Sequence, residues 1–170
     1  MITASYVRTM AAYNAEMNRR LYAAAARLPD AERRAPRGAF WKSIHGTLGH
    51  ILWGDSMWMS RFDGWLRPST PIKQSDHFIE DFAELCTARD DADGRISRWA
   101  DRVDDLWLGD DLVWLSGAAQ RELRAPKRLL VAHFFNHQTH HRGQAHALLT
   151  AAGEDTRDTD LFLIVPGIIS

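Results

Sequence analysis

A cluster of histidines near the carboxyl end of the chain is the first candidate for chemistry. Four of the eight histidines fall within nine residues, between His133 and His141, in a stretch predicted to be helical. His137 and His141 are four residues apart, so on a helix their side chains lie on one face and could share one metal ion. Imidazole titrates near neutral pH and is the commonest metal ligand in proteins, which makes this cluster the first place to look for function.

These histidines are predicted to point into the protein. His133, His137 and His141 follow one another at intervals of four residues, on or beside the apolar stripe of Leu130 and Phe134. A buried imidazole needs a partner for each ring nitrogen, either a hydrogen bond or a metal. Two interpretations therefore stand side by side: core histidines satisfied by backbone or water, or a metal site.

Two further features of the sequence favour a metal. His50 lies within the apolar run of an earlier predicted helix and could face the histidine-rich helix across a bundle core. No Asp or Glu occurs between Leu123 and Gly153. This argues against a di-iron carboxylate site, which needs Glu-x-x-His, and against a zincin, whose general base is a Glu between its histidines. What remains is a site of neutral imidazoles.

Such a site would have a definite chemistry. Three neutral imidazoles leave the full charge of a divalent ion uncompensated and one coordination position open. Water on such an ion is acidified to a pKa of about 7, and a thiol is deprotonated outright. The site would then activate a nucleophile without a protein base. Zn²⁺ fits the ligand set, and imidazole also suits Ni²⁺ and Fe²⁺, so the identity of the metal stays open.

Apolar residues at helical spacing predict four long helices that position these histidines. The first covers 6–28, and the second runs from Ser43, a good N-cap residue, to Gly64. The third starts near Ser75 and Asp76 and extends to Val103. The fourth begins at Pro126 and closes at Gly153, residues that suit those two ends of a helix.

The predicted fold is all-α, a four-helix bundle in one domain spanning 1–170. Between the third and fourth helices, Leu106–Gly117 carries two short apolar runs around a Gly-Asp-Asp turn, which predicts a crossover with a small hairpin-like segment. The tail Leu161–Pro166 is apolar enough that it should pack on the bundle or on a second subunit.

Composition narrows the function classes. The net charge is −1, and the only three lysines, Lys42, Lys73 and Lys127, are dispersed among acids, so no basic stripe offers itself to a nucleic acid. No signal peptide and no apolar run of membrane-spanning length is visible, which favours a cytoplasmic protein with no membrane partner. The lone Cys86 is interpreted as a small buried hydrophobe rather than a catalytic thiol.

The run Asn136–Gln144, Asn-His-Gln-Thr-His-His-Arg-Gly-Gln, resembles the DinB family. The segment Ser43–Leu52 and the region of Trp58 resemble it too, and the likeness extends over the whole chain in helix order. The resemblance implies an up-up-down-down four-helix bundle, usually a homodimer, with a divalent metal held by three histidines. Carried over by position, the ligands are His50, His137 and His141.

The resemblance does not imply a single activity, because members of the family differ in what is known of their reactions. Related bundles transfer low-molecular-weight thiols, as bacillithiol transferases and mycothiol-dependent isomerases do, whereas many members have no assigned reaction. The family name refers to induction by DNA damage, but the charge distribution here gives no support for DNA binding. Three hypotheses follow: a metal-dependent thiol transferase or hydrolase acting on a small molecule, a non-catalytic metal-stabilised stress or interaction protein, or a metal-free bundle with a buried histidine network.

The remaining histidines have simpler predicted roles. His133 has the spacing to replace His141 as the partner of His137, although a core or supporting position is the simpler interpretation. His140 is predicted to lie on the surface or at an interface, and His45 to pack at the start of its helix. Two others are predicted to be solvated: His77 and His146.

Residues near the predicted ligands complete the picture. Trp53 and Met57 follow His50 by three and seven residues, so both are predicted to line the pocket around the metal. Arg142 and Gln144 are predicted to hold backbone or a loop rather than substrate. No general base is visible; of the acids on the second helix, neither Asp55 nor Asp63 stands three or four residues from His50.

Overall fold

The computed structural model describes residues 2–117 and 119–165 and is mostly helical, with one small two-stranded sheet. Its helices, in chain order, are α1 (Ala4–Arg27), α2 (Asp30–Arg34), α3 (Ile44–Phe62), a 3₁₀ helix (Ile72–His77), α4 (Phe82–Arg102), α5 (Asp105–Gly109), α6 (Lys127–Ala151) and α7 (Leu161–Ile164). The strands β1 (Asp111–Ser116) and β2 (Arg121–Pro126) lie between α5 and α6.

The four long helices correspond to the four that apolar spacing predicts. α1 packs against α4 and α6, and α3 packs against the same two helices. Their apolar faces meet in one core, in which Leu21, Leu48, Ile96 and Phe134 are all buried. The contact between α3 and α6 is the one that matters for function, because it brings His50 opposite the histidine-rich stretch of α6.

The start of α3 is as predicted. Ser43 adopts extended backbone, and its hydroxyl accepts a hydrogen bond from the Gly46 N–H at 3.0 Å. Gly46 also allows the preceding loop to approach closely, because a β-carbon at this position would lie 2.5 Å from the carbonyl oxygen of Trp41. The loop is therefore held against the first turn of α3, close to His50.

The prediction that the third helix begins near Ser75 and Asp76 is wrong. Those residues belong to the separate 3₁₀ helix, and α4 begins at Phe82. Asp81 is extended, and its carboxylate accepts a hydrogen bond from the Glu84 N–H at 2.8 Å, so the long helix is capped and starts there. As a result the 3₁₀ helix is free to pack separately against α3.

The hairpin lies later than predicted. The first apolar run falls within α5, which Asp104 caps by accepting a hydrogen bond from the Trp107 N–H at 2.7 Å. The chain then pairs β1 with β2 in antiparallel register, with Ser116 opposite Arg121. The turn therefore follows Ser116, and the predicted turn at Gly-Asp-Asp is wrong.

The carboxyl-terminal tail packs only in part on the helices. Leu161 contacts the core, and α7 packs on α1, whereas Phe162 and Leu163 are largely exposed. Pro166, the last residue of the predicted tail, lies outside the described residues, and packing on a second subunit stays a prediction. Within the described ranges, no helix is both long and apolar enough to cross a membrane.

Candidate metal centre

Three histidines converge where α3 meets α6. One ring nitrogen of each of His50, His137 and His141 lies within 4.8 Å of the others. The Nε2 atoms of His50 and His137 are 3.2 Å apart. Two nitrogens bound at about 2.0–2.1 Å to one tetrahedral ion stand roughly 3.3 Å apart, so this pair is already at ligand spacing. The three residues that the family resemblance singles out are thus brought together.

The 3₁₀ helix fixes the orientation of the His50 ring. The hydroxyl of buried Ser75 lies 2.8 Å from His50 Nδ1 and donates its own hydrogen to the Ile72 carbonyl oxygen, also at 2.8 Å. Because that hydrogen is engaged, the hydroxyl accepts the Nδ1 proton of His50. The lone pair of His50 Nε2 is therefore free and faces α6, as a metal ligand requires.

A side chain of α6 does the same for His141. The Oε1 atom of Gln144 lies 2.7 Å from His141 Nδ1, and an amide oxygen can only accept a hydrogen bond. The amide nitrogen of Gln144 faces His140 Nε2 at 3.4 Å, which agrees with this orientation. His141 therefore carries its proton on Nδ1 and presents the lone pair of Nε2 to the cluster. The prediction that Gln144 holds backbone or a loop is wrong.

Trp41 covers the cluster from the side of the α2–α3 loop. Its ring is stacked on His50 with centroids 3.9 Å apart and an interplanar angle of 19°. The Trp41 and His141 rings meet in an edge-to-face arrangement with centroids 6.5 Å apart. The next residue, Lys42, has a φ of 65° and bonds Asp76 through its ammonium group at 2.6 Å, which holds the loop in place. No helical spacing relates Trp41 to the histidines, so this contact could not be predicted from the sequence.

Burial keeps the three imidazoles neutral. Removal from water, together with the neighbouring histidines, lowers the pKa of both His50 and His137 to about 3. Burial also lowers the pKa of His141, although the hydrogen bond with Gln144 opposes this. Neutral imidazole is the form that binds a metal ion, so the site needs no deprotonation at neutral pH. The donor set, its spacing and its protonation all fit a divalent ion.

A cleft of about 620 Å³ opens from the histidines along α3. Trp53 and Met57 line it, as predicted from their spacing to His50. The indole N–H of Trp53 donates to the Thr70 carbonyl oxygen at 2.8 Å, which fixes one wall. The β-hairpin supplies another part of the wall through Trp114. The volume suits a small organic molecule with an apolar body.

Beneath α6 lies a buried polar network that sequence reasoning missed. Gln138, the neighbour of His137, donates to Asp55 at 2.7 Å, and Asp55 pairs with buried Arg89 at 2.6 Å. Arg89 also pairs with Asp93 at 2.7 Å. Burial raises the pKa of Asp55. Burial also disfavours the charge of Arg89, but the neighbouring carboxylates of Asp93 and Asp55 outweigh this and raise the pKa of Arg89. The network ties α3 and α4 to the turn of α6 that carries His137.

The outlying histidines divide into confirmed and corrected predictions. His45 is buried at the start of α3, as predicted, and its Nε2 lies 2.9 Å from the Ile79 carbonyl oxygen. His140 is exposed, also as predicted. His77 is exposed, as predicted. His146 is half-buried and bonds Thr156 at 2.7 Å, so its predicted solvation is wrong.

His133 lies neither in the core nor in the three-histidine cluster. It is exposed at the wall of the cleft, with its ring 5.1 Å from that of Trp58 and 6.1 Å from that of His137.

Arg142 is buried over the ring of Tyr13 and donates to the Thr139 hydroxyl at 3.3 Å, so its predicted role of holding backbone or a loop is also wrong.

Comparison with known proteins agrees with this geometry. A family model described as "DinB family" matches residues 1–165 of the chain. Searches of curated proteins and of solved structures found no match. The match covers all the long helices together with the three converging histidines, which lie at the positions expected from the run on α6 and the segment on α3.

Proposed function

We propose that the chain, which belongs to the DinB family, is a metal-dependent enzyme. It acts on a small molecule by thiol transfer or hydrolysis. The ligands are His50, His137 and His141. The observation that carries the proposal is the convergence of three neutral imidazoles, two of which have their Nδ1 protons held by Ser75 and Gln144. A purely structural histidine network has no need of free ring nitrogens gathered within a few ångströms of one another.

The residues around the ligands have separable tasks. Ser75 and Gln144 orient two rings and select the tautomer that leaves Nε2 free. Trp41 excludes water from one side of His50, and Trp53 shapes the entrance to the cleft. A divalent ion held by three neutral ligands supplies Lewis acidity, which lowers the pKa of a thiol or water.

The cleft favours a reaction that needs little help from protein acids and bases. Among the described residues that line it, none is an Asp or a Glu, and His133 is the one cleft histidine outside the proposed ligand set. Partial removal from water, and then the charge of Arg61, lower the pKa of His133, which makes its ring a weaker base. A low-molecular-weight thiol, which needs only to lose a proton to become a nucleophile, suits this environment.

The family also leads us to propose how the chain is arranged and assembled. The pairwise packing of α1 and α3 against α4 and α6 supports an up-up-down-down four-helix bundle in a single domain. A homodimer is proposed on the family resemblance. Sedimentation of the purified protein tests the assembly, and a monomer at all concentrations would contradict it.

Metal analysis of the purified protein tests the metal site. The protein is loaded in turn with Zn²⁺, Ni²⁺ and Fe²⁺, desalted and analysed for bound metal. We expect one ion per chain in the wild type, loss of it in His137→Ala and His141→Ala, and retention in His133→Ala, the matched control on the same helix. A wild type that takes up none of the three metals would overturn the proposal.

A second measurement addresses the reaction. The metal-loaded protein is screened with low-molecular-weight thiols and small electrophiles, and with activated esters for hydrolysis. Turnover that is lost in His137→Ala supports an enzyme. Metal binding that raises the melting temperature without any turnover would instead support the non-catalytic, metal-stabilised protein.

A further inference from the structure

Two arginines line the cleft away from the three-histidine cluster. Arg61, in the last turn of α3, places its guanidinium carbon 4.5 Å from the Trp58 ring centroid and 5.8 Å from that of Trp114. Arg67, on the loop that follows α3, reaches the hairpin turn, where its Nη2 would lie 3.6 Å from a β-carbon on Gly117. The cleft therefore holds two guanidinium groups, one of which packs on aromatic rings.

Neither arginine has an acidic partner in the part of the chain that the structure describes. Among the residues described, no carboxylate lies within salt-bridge distance of Arg61 or Arg67, and none that lines the cleft is an Asp or a Glu. Burial and the nearby charge of Arg67 lower the pKa of Arg61, as expected for a half-buried guanidinium beside a like charge. By contrast, fully buried Arg89 is matched by two carboxylates.

The spacing between the two ends of the cleft sets the size of a ligand. His137 packs against α3 at Gly54, and Arg61 stands seven residues further along the same helix. At about 1.5 Å of rise per residue this is roughly 10 Å. The wall between the ends includes Met57 and Trp58, both of which offer apolar surface.

We propose that Arg61 and Arg67 form a subsite for the anionic group of an elongated organic substrate, a carboxylate or a phosphate. Planar guanidinium groups bind either anion through paired N–H donors. The apolar body of the substrate lies along Met57 and Trp58, and its reacting end meets the three histidines. The last of these statements rests on the proposed function, whereas anion binding by the arginines does not require a metal.

Calorimetric titration with three matched probes tests the subsite. Phenylbutyrate, phenylbutyl phosphate and neutral phenylbutanol share an aromatic body and differ in charge. Each is titrated into chelator-treated and zinc-loaded protein. We expect at least one anion to bind the wild type about tenfold or more tightly than the alcohol, with or without zinc, because charge-assisted hydrogen bonds to guanidinium are strong. The tighter of the two anions identifies the group.

The Arg61→Gln/Arg67→Gln double variant should lose this preference. Arg95→Gln is the matched control, since the Arg95 guanidinium lies 3.7 Å from the Trp65 ring but outside this cleft, and it should retain the preference. Arg67 is exposed, so Arg67→Gln alone gives a second variant that folds normally and should weaken anion binding in part.

Two results would overturn the subsite. One is the absence of any anion preference in the wild type. The other is a preference that survives in the double variant and disappears when zinc is removed, because the anion would then be bound by the metal. If the protein takes up no metal, the proposed function fails, whereas the titration of chelator-treated protein still decides the subsite.

Discussion

The imidazole of His137 packs directly on the backbone of α3 at Gly54. A β-carbon at position 54 would lie 2.7 Å from Cε1 and 3.2 Å from Nδ1 of that ring. Non-bonded carbon atoms do not approach so closely, so His137 can occupy its position beside His50 only because residue 54 is glycine. The proposed metal centre thus depends on a residue that has no side chain and binds nothing.

Gly54→Ala should therefore weaken metal binding. The added methyl group displaces the His137 ring from the 3.2 Å Nε2 spacing with His50, and we expect the zinc affinity to fall about tenfold or more, as for other changes that misplace a ligand. Competition titration against a chromogenic chelator measures this. Gly49→Ala is the control on the same helix, since its methyl group meets only ordinary contacts at 3.5 Å or more. Equal affinities in the two variants would contradict the steric argument.

Gln144 should contribute to the metal affinity of the site rather than to the stability of the fold. Gln144→Leu removes the acceptor of the His141 Nδ1 proton, and we expect zinc affinity to fall about 10–100-fold. Gln144→Glu keeps an acceptor at the same place and should retain tight binding. The same chelator competition distinguishes the two. An unchanged affinity in Gln144→Leu would show that His141 does not depend on this hydrogen bond.

The buried network beneath α6 should be costly to break. Arg89→Met leaves the carboxylates of Asp55 and Asp93 buried without their cation, and we expect the free energy of unfolding to fall by about 3–5 kcal/mol. Arg102→Met, on the same helix, removes a solvent-exposed pair with Asp63 and should cost less than about 1 kcal/mol. Urea denaturation of both variants measures the difference. Similar losses in the two would mean that the network contributes little.

The long helices and the convergence of the three histidines were predictable from the sequence, because each depends on local spacing or a local run. Helical apolar periods give α1, α3 and α6 to within a few residues. The i to i+4 step of His137 and His141 places both on one face of α6. His50 was predictable because it lies in an apolar run on a neighbouring helix.

The residues that support the site were not predictable, since their positions depend on tertiary contacts. Ser75 reaches His50 only because Asp81 starts α4 later than apolar spacing implies, which leaves a separate 3₁₀ helix. Trp41 reaches His50 through a loop with a left-handed residue, Lys42. The Asp55 side chain pairs with Arg89 on α4. Its spacing from His50 indicated that Asp55 does not join the histidines, but it did not predict this partner.

The pH dependence of stability provides a test of the buried histidines. In the metal-free fold the pKa values of His50 and His137 are lowered to about 3, whereas an unfolded chain has histidine pKa values of about 6.5. The unfolded state therefore binds these protons first as the pH falls. Stability that is fully present above about pH 6.5 should decline between that pH and about pH 3, by up to about 1.4 kcal/mol per pH unit for each imidazole.

Chemical denaturation of chelator-treated protein between pH 7.5 and 4.5, roughly the window in which unfolded histidines titrate, measures this slope. The raised pKa values of Asp55 and Asp93 act in the opposite sense, so the histidine contribution is taken as the difference from His50→Gln/His137→Gln, which cannot titrate at these positions. We expect the double variant to show a shallower decline than the wild type. A double variant as acid-sensitive as the wild type would show that these imidazoles are not held neutral by burial.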